Sequence, residues 1–239
     1  MMSYSAQRTR ILKGLTALAA LLFVVAVYMD LFWVGPEKTQ GAAQRVFYVH
    51  LGAFLGAFIA FSAVVVAGIL YLRTRNPKWD TFGLANVEIG LGFSAITVLT
   101  GMTWARPIWN TWWTWDPRLT SVAIMWLAYA AYVMLRAGIE DPERRRRFAA
   151  VYGIVAFASV IFTIIIVRVR PDTIHPVVAG PTQADPTGGF DVAGDMKTTL
   201  FFNMFTFAVI TVVLVWHRIR LENLTQWIER RKMEILAEL

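Results

Sequence analysis

Six continuous apolar runs decide the class of this chain. They lie near residues 14–34, 46–72, 82–104, 119–135, 148–167 and 200–216. Each approaches or exceeds the roughly 20 residues a helix needs to cross a bilayer. The runs are continuous, not alternating, which excludes a membrane β-barrel. Only 16% of the 239 residues are charged and 57% are hydrophobic, where a soluble domain would carry roughly 25% charge. The expectation is an all-α integral membrane protein of six transmembrane helices, forming one domain over 1–239 with an amphipathic cytoplasmic tail from about residue 218. The first run follows Arg8, Arg10 and Lys13. It is too long for a signal-peptide core and lacks a small-residue cleavage site, so it reads as an uncleaved first span.

Basic residues orient the spans. Sixteen of the 23 Lys and Arg fall at the N-terminus, between spans two and three, between spans four and five, and in the tail. The positive-inside rule then places both termini in the cytoplasm. The connection between spans three and four becomes extracytoplasmic, as does the long loop over 168–197, whose many Pro and Gly residues exclude a regular helix. The net charge of +7 is thus accounted for by topology and the lipid surface, with no nucleic acid implied. Asp80-Thr81 is expected to cap span three, Asp116-Pro117 span four and Asp141-Pro142 span five.

The third-to-fourth connection holds the densest chemistry. Four of the ten tryptophans fall in one short run, Trp109, Trp112, Trp113 and Trp115, followed by Asp116, Pro117 and Arg118. Trp104 and Arg106 lie just upstream. Flat indole faces with guanidinium groups beside them suit a planar apolar ligand with acidic edges. A second reading also stands: Trp is ordinary at a bilayer interface, while Asp116 and Arg118 could serve only as cap and ion-pair partner.

Of three histidines, His50 and His175 fall on the face that carries the tryptophans, and His217 beside Arg218 falls on the other. Imidazole is a good axial ligand for haem iron. Two such ligands would hold a porphyrin with Arg106 and Arg118 near its propionates; the plainer alternative is that each histidine is a structural hydrogen-bonder. Glu88, with Asn86, lies within span three, and an intramembrane carboxylate is a candidate for a transport path. Cysteine is absent, so thiolate ligands, disulfides and a covalent haem site of the C-x-x-C-H kind are excluded. No phosphate-binding loop is present, nor any hydrolase or metalloprotease pattern.

The run Trp109-x-x-Trp112-Trp113-x-Trp115-Asp116-x-Arg118-Leu119-Thr120, preceded by Gly101-x-x-Trp104-Ala105-Arg106-Pro107, resembles the "WWD" signature of the haem-handling family of cytochrome c maturation. Chain length, six spans and one outer histidine on each side of the signature resemble the family's smallest branch, the CcmC type; CcmF and the CcsA-type synthase subunits usually have more spans. The resemblance implies a protein of the bacterial cytoplasmic membrane that holds non-covalent haem b at the outer face and passes it to the haem chaperone CcmE. It implies work alongside the transporter subunits CcmA and CcmB and the small protein CcmD, and delivery of haem in place of enzymatic turnover. Carried over by position, His50 and His175 would ligate the haem iron, and Trp109, Trp112, Trp113, Trp115 and Asp116 would form the platform for haem and chaperone. The chain departs from the family pattern at Asn110, where glycine is usual, at Leu51-Gly52-Ala53-Phe54, in the residues before His175, and in a longer loop after it. A CcsA-type synthase subunit, a permease for haem or another solute, and a haem-bearing electron-transfer subunit are the alternatives.

Overall fold

A computed structural model describes residues 2–170, 172–176 and 194–238. Six long helices follow in order: α1 (Met2–Tyr28), α2 (Val46–Thr74), α3 (Pro77–Trp109), α4 (Pro117–Ala137), α5 (Pro142–Val169) and α6 (Gly194–Glu238). All six are long and apolar enough to cross a membrane, so the six-span expectation holds. Most of them extend past the expected bounds, because polar residues near a bilayer surface continue a helix readily once its apolar middle is fixed.

Helix α2 lies at the centre, packed against α3, α5 and α6. It carries a stripe of small buried residues, Gly52, Gly56, Ala60, Ala67 and Gly68. Small residues let helix backbones approach closely where the surrounding lipid offers no hydrophobic drive to associate. Gly52 shows how close: an added Cβ would stand 2.5 Å from Cδ2 of Phe207 on α6. Phe61 of α2 stacks on Tyr129 of α4, with ring centroids 3.8 Å apart. Helix α4 packs chiefly on α5, and α1 on α6.

Helix starts follow a repeated local rule. Asp116 Oδ1 accepts from the Leu119 amide at 2.8 Å, and Asp141 Oδ1 accepts from the Arg144 amide at 2.6 Å, each just before a proline. The expected cap of span three is corrected: Asn76, not Asp80-Thr81, caps α3, accepting from the Lys78 amide at 3.0 Å ahead of Pro77. Asn-Pro offers the same acceptor-then-proline pair as the two Asp-Pro sites. Asp80, inside the first turn, instead binds Arg136 of α4, whose Nη2 donates to Oδ2 at 3.0 Å.

The tail expected from about residue 218 continues the last span as one helix. Helix α6 runs unbroken from Gly194 to Glu238, because no Gly or Pro interrupts residues 195–239. At 1.5 Å per residue its 45 residues span about 68 Å, more than twice the thickness of a hydrocarbon core. At the end of the bundle away from the tryptophans, Arg218 of α6 pairs with Glu88 of α3, one bond running from Nη2 to Oε1 at 2.9 Å. Nearby, His217 Nε2 lies 2.9 Å from Thr16 Oγ1.

Candidate functional site

The tryptophan loop joins α3 to α4, and its flanks are pinned from several sides. Asn110 ends α3 in the left-handed conformation, at φ 53°. That explains the departure from glycine at this position, since Asn is the residue that tolerates left-handed backbone next best. Arg106 secures the turn: its Nη1 donates to the Asn110 carbonyl at 2.7 Å and to Oδ1 at 2.9 Å. Its guanidinium is therefore engaged at the helix end. Thr111 Oγ1 donates to the Trp113 carbonyl at 3.0 Å and tightens the loop.

The indoles form two edge-to-face pairs. Trp104 and Trp109 have centroids 5.0 Å apart at 83°, and Trp113 and Trp115 5.6 Å apart at 78°. Trp104 also donates from Nε1 to Gln40 Oε1 at 2.9 Å, tying in the connection between α1 and α2. Trp112 and Trp115 are 55% and 76% exposed, while Trp113 is half-buried with its Nε1 unpartnered. The loop thus presents two largely exposed indoles, Trp112 and Trp115, beside indoles that are more buried or hydrogen-bonded.

His50 sits in the second turn of α2, against α3. Its Nδ1 lies 3.2 Å from Thr100 Oγ1. That hydroxyl spends its own proton on the Ile96 carbonyl at 2.7 Å, so it accepts from the imidazole. Nδ1 is then the protonated nitrogen, and Nε2 keeps its lone pair. Gly101 makes room for the ring, since an added Cβ would stand 3.1 Å from His50 Cε1.

His175 arrives from the connection between α5 and α6. Its Nδ1 lies 2.9 Å from the Pro176 carbonyl, an acceptor only, so here too Nδ1 donates and Nε2 is free to ligate. The loop is held by Asp116, whose Oδ2 accepts from Thr173 Oγ1 at 3.1 Å, while Thr173 accepts from the His175 amide at 3.3 Å. Burial first, and then the positive charge of Arg118, push the His175 pKa down to about 4, outweighing the Pro176 carbonyl and Asp116. At neutral pH the ring is uncharged, as a metal ligand must be.

Arg118, in the first turn of α4, is held against α5 by a hydrogen bond to the Thr163 carbonyl. Its guanidinium stands over the Phe54 ring, 5.9 Å from the centroid. Its charge reaches both His50 and His175, and His175 lies close enough to act on His50 as well. Two imidazoles with free Nε2 lone pairs, one guanidinium whose charge reaches both and a set of indoles are therefore brought to one end of the bundle. That donor set fits an iron porphyrin, as soft-edged imidazole suits iron and the guanidinium suits a propionate. Thr100, Thr173, Gln40 and Phe54 support the site without forming any pattern in the sequence; only Gly101, within the upstream motif, carried a signal.

Comparison with known proteins gives consistent matches. The sequence profile of a family described as heme exporter protein C matches residues 2–234. A heme exporter protein C of Bradyrhizobium diazoefficiens is 33% identical over 64% of this chain and 57% of its own length. A putative cytochrome c biosynthesis ccmC-like mitochondrial protein of Marchantia polymorpha is 36% identical over 45% of this chain and 47% of its own. The heme exporter protein C of Escherichia coli strain K12 is 26% identical over 90% of this chain and 84% of its own. The first two matches thus span only about half the length of those relatives.

Proposed function

The chain belongs to the heme exporter protein C family, and from that membership we propose that it serves cytochrome c biogenesis by holding haem between His50 and His175 and presenting it for transfer. The observation that carries this reading is the pairing of two imidazoles whose Nδ1 atoms are both committed, to Thr100 and Pro176, leaving both Nε2 atoms to bind iron. Haem is the cargo, held non-covalently as haem b. Arg118 stands where it can meet a propionate, and Trp112 and Trp115 offer exposed faces to the macrocycle or to an acceptor protein.

The orientation follows from charge. Six crossings put both termini on one side, and the excess of Lys and Arg on that side makes it cytoplasmic. The tryptophan loop and both histidines then face outward from a bacterial cytoplasmic membrane. The acceptor is the haem chaperone CcmE, and CcmA, CcmB and CcmD complete the assembly. The chain's own contribution is positional: it fixes the iron, excludes water on the α2 side and leaves a porphyrin edge open.

The test is the absorption spectrum of the purified, haem-loaded chain. His50→Ala and His175→Ala should each lose haem or shift to a five-coordinate spectrum. Six-coordinate haem in both variants would reject the ligand assignment. A permease reading loses support from the pairing of Glu88 with Arg218, which commits the one carboxylate within span three. Haem accumulation by vesicles carrying this chain alone would restore it.

A further inference from the structure

A second polar cluster lies where the end of α1 meets the starts of α2 and α6. The last turns of α1 widen into a π-turn at Met29–Trp33, closed by the Val34 amide donating to the Met29 carbonyl at 3.0 Å. Such turns are rare and concentrate at functional sites. Asp30 sits in it, only 4% exposed. On α6, Asn203 is fully buried, and its Nδ2 donates to Asp30 Oδ1 at 2.8 Å and to the Thr199 carbonyl at 3.0 Å. Both partners are acceptors, so the amide orientation is fixed by chemistry and Asn203 Oδ1 must be the oxygen.

Among the described residues, five buried oxygens in this neighbourhood are left without a hydrogen bond: Asp30 Oδ2, Asn203 Oδ1, Thr206 Oγ1, Gln44 Oε1 and the Tyr48 hydroxyl. Thr206 lies on the same face of α6 as Thr199 and Asn203, one turn further along. Gln44 precedes α2 and stands beside the Tyr48 hydroxyl, which in turn feels the charge of Asp30. Among the described residues no Lys, Arg or His comes within ion-pair distance of Asp30. A carboxylate in the membrane with one oxygen unserved is costly, and each unserved neutral oxygen adds to that cost.

The missing partner has a definite chemistry. Three of the five oxygens can only accept, and neither the Tyr48 nor the Thr206 hydroxyl donates to them, so they need another donor or a cation. All are hard oxygen ligands, which select alkali and alkaline-earth ions over transition metals. One carboxylate supplies one negative charge, too little for a calcium site of the usual kind. The geometry points to a buried binding site for a single alkali-metal cation, held by Asp30, Asn203, Thr206 and Gln44. The site is separate from the haem ligands and does not depend on the haem reading.

The test is thermal unfolding of the full chain in nanodiscs of zwitterionic lipid, in sodium, potassium or choline chloride at equal ionic strength. Either alkali ion should raise the Tm by about 3 °C over choline when present well above its dissociation constant. A difference between the two would identify the preferred ion. The rise should vanish in Asp30→Asn, and Thr206→Val should move the half-saturating concentration upward by about tenfold. If Asp30→Asn does not fold, Thr206→Val alone decides, because it deletes one oxygen without touching the charge. Equal Tm in all three salts would mean that water or a proton serves these oxygens and would overturn the proposal. An undiminished alkali response in the folded variants would place the ion elsewhere and overturn it equally.

Discussion

Thr173 donates a 3.1 Å hydrogen bond to Asp116, the aspartate that closes the tryptophan run. The same carboxylate caps α4 through its other oxygen. One side chain therefore sets both the start of a membrane helix and the position of the loop that delivers His175. Thr173→Val should separate the two effects. Haem retention should fall while Tm stays within about 1 °C, since a surface change of this kind is worth at most a few tenths of a kcal/mol. Asp116→Ala should do both, losing about 1 kcal/mol with the cap. Haem binding by Thr173→Val equal to wild type would show that the tie has no functional weight.

Gly101 predicts opposed signs. Gly101→Ala should favour α3 by up to about 1 kcal/mol through helix propensity. The new methyl would stand 3.1 Å from His50 Cε1, so the ring must turn and Nε2 leave its line. Haem titration should show weaker binding in a protein of equal or higher Tm. Unchanged affinity would mean that the imidazole has slack.

The pH dependence follows from His175. Its folded pKa, about 4, lies below the ordinary value of 6.5. Between those values the unfolded chain takes up a proton that the folded chain refuses, so this group's contribution to stability falls as pH drops from about 6.5 to about 4. Iron ligation by His175 should persist at pH 5, since the ring takes up a proton only near pH 4 and bound iron competes with that proton. Haem spectra recorded across pH 7 to 3.5 check this, and a loss of ligation centred near pH 6.5 would show a solvated ring.

Asp80 and Arg136 form a pair of side chains only 8% and 10% exposed. Removing one partner strands the other, so Asp80→Ala should cost about 3–5 kcal/mol. The double change Asp80→Leu with Arg136→Met should recover much of that loss in denaturation experiments. Equal loss in single and double variants would show that the pair has no coupling.

Asn110 tests the left-handed turn. Asn110→Gly should leave stability equal or slightly higher, while Asn110→Ala should cost about 1 kcal/mol for a Cβ held at positive φ. Thermal melts of the two variants should differ in that order, and the reverse order would contradict the assigned backbone.

The one-dimensional pattern made the membrane class and the six spans legible, because a long apolar run is a local signal. It also exposed the caps at Asp116 and Asp141. Asn76-Pro77 has the same acceptor-then-proline form, four residues before the Asp80-Thr81 pair. What stayed hidden were pairings between distant residues. Nothing in the composition around Thr173 announces Asp116, and nothing around Met29 announces that Asp30 will be buried against Asn203. The histidines were visible as residue types on one face, but their tautomers depended on Thr100 and Pro176, which only a folded chain brings into play.

Helix α6 has one further consequence. A rod about 68 Å long, with no proline or glycine to serve as a hinge, does not bend at one place and stay still at another. Asn203 and Arg218, the partner of Glu88, lie on this one shaft, so the polar cluster and the tail are joined by a single unbroken helix with no flexible joint between them.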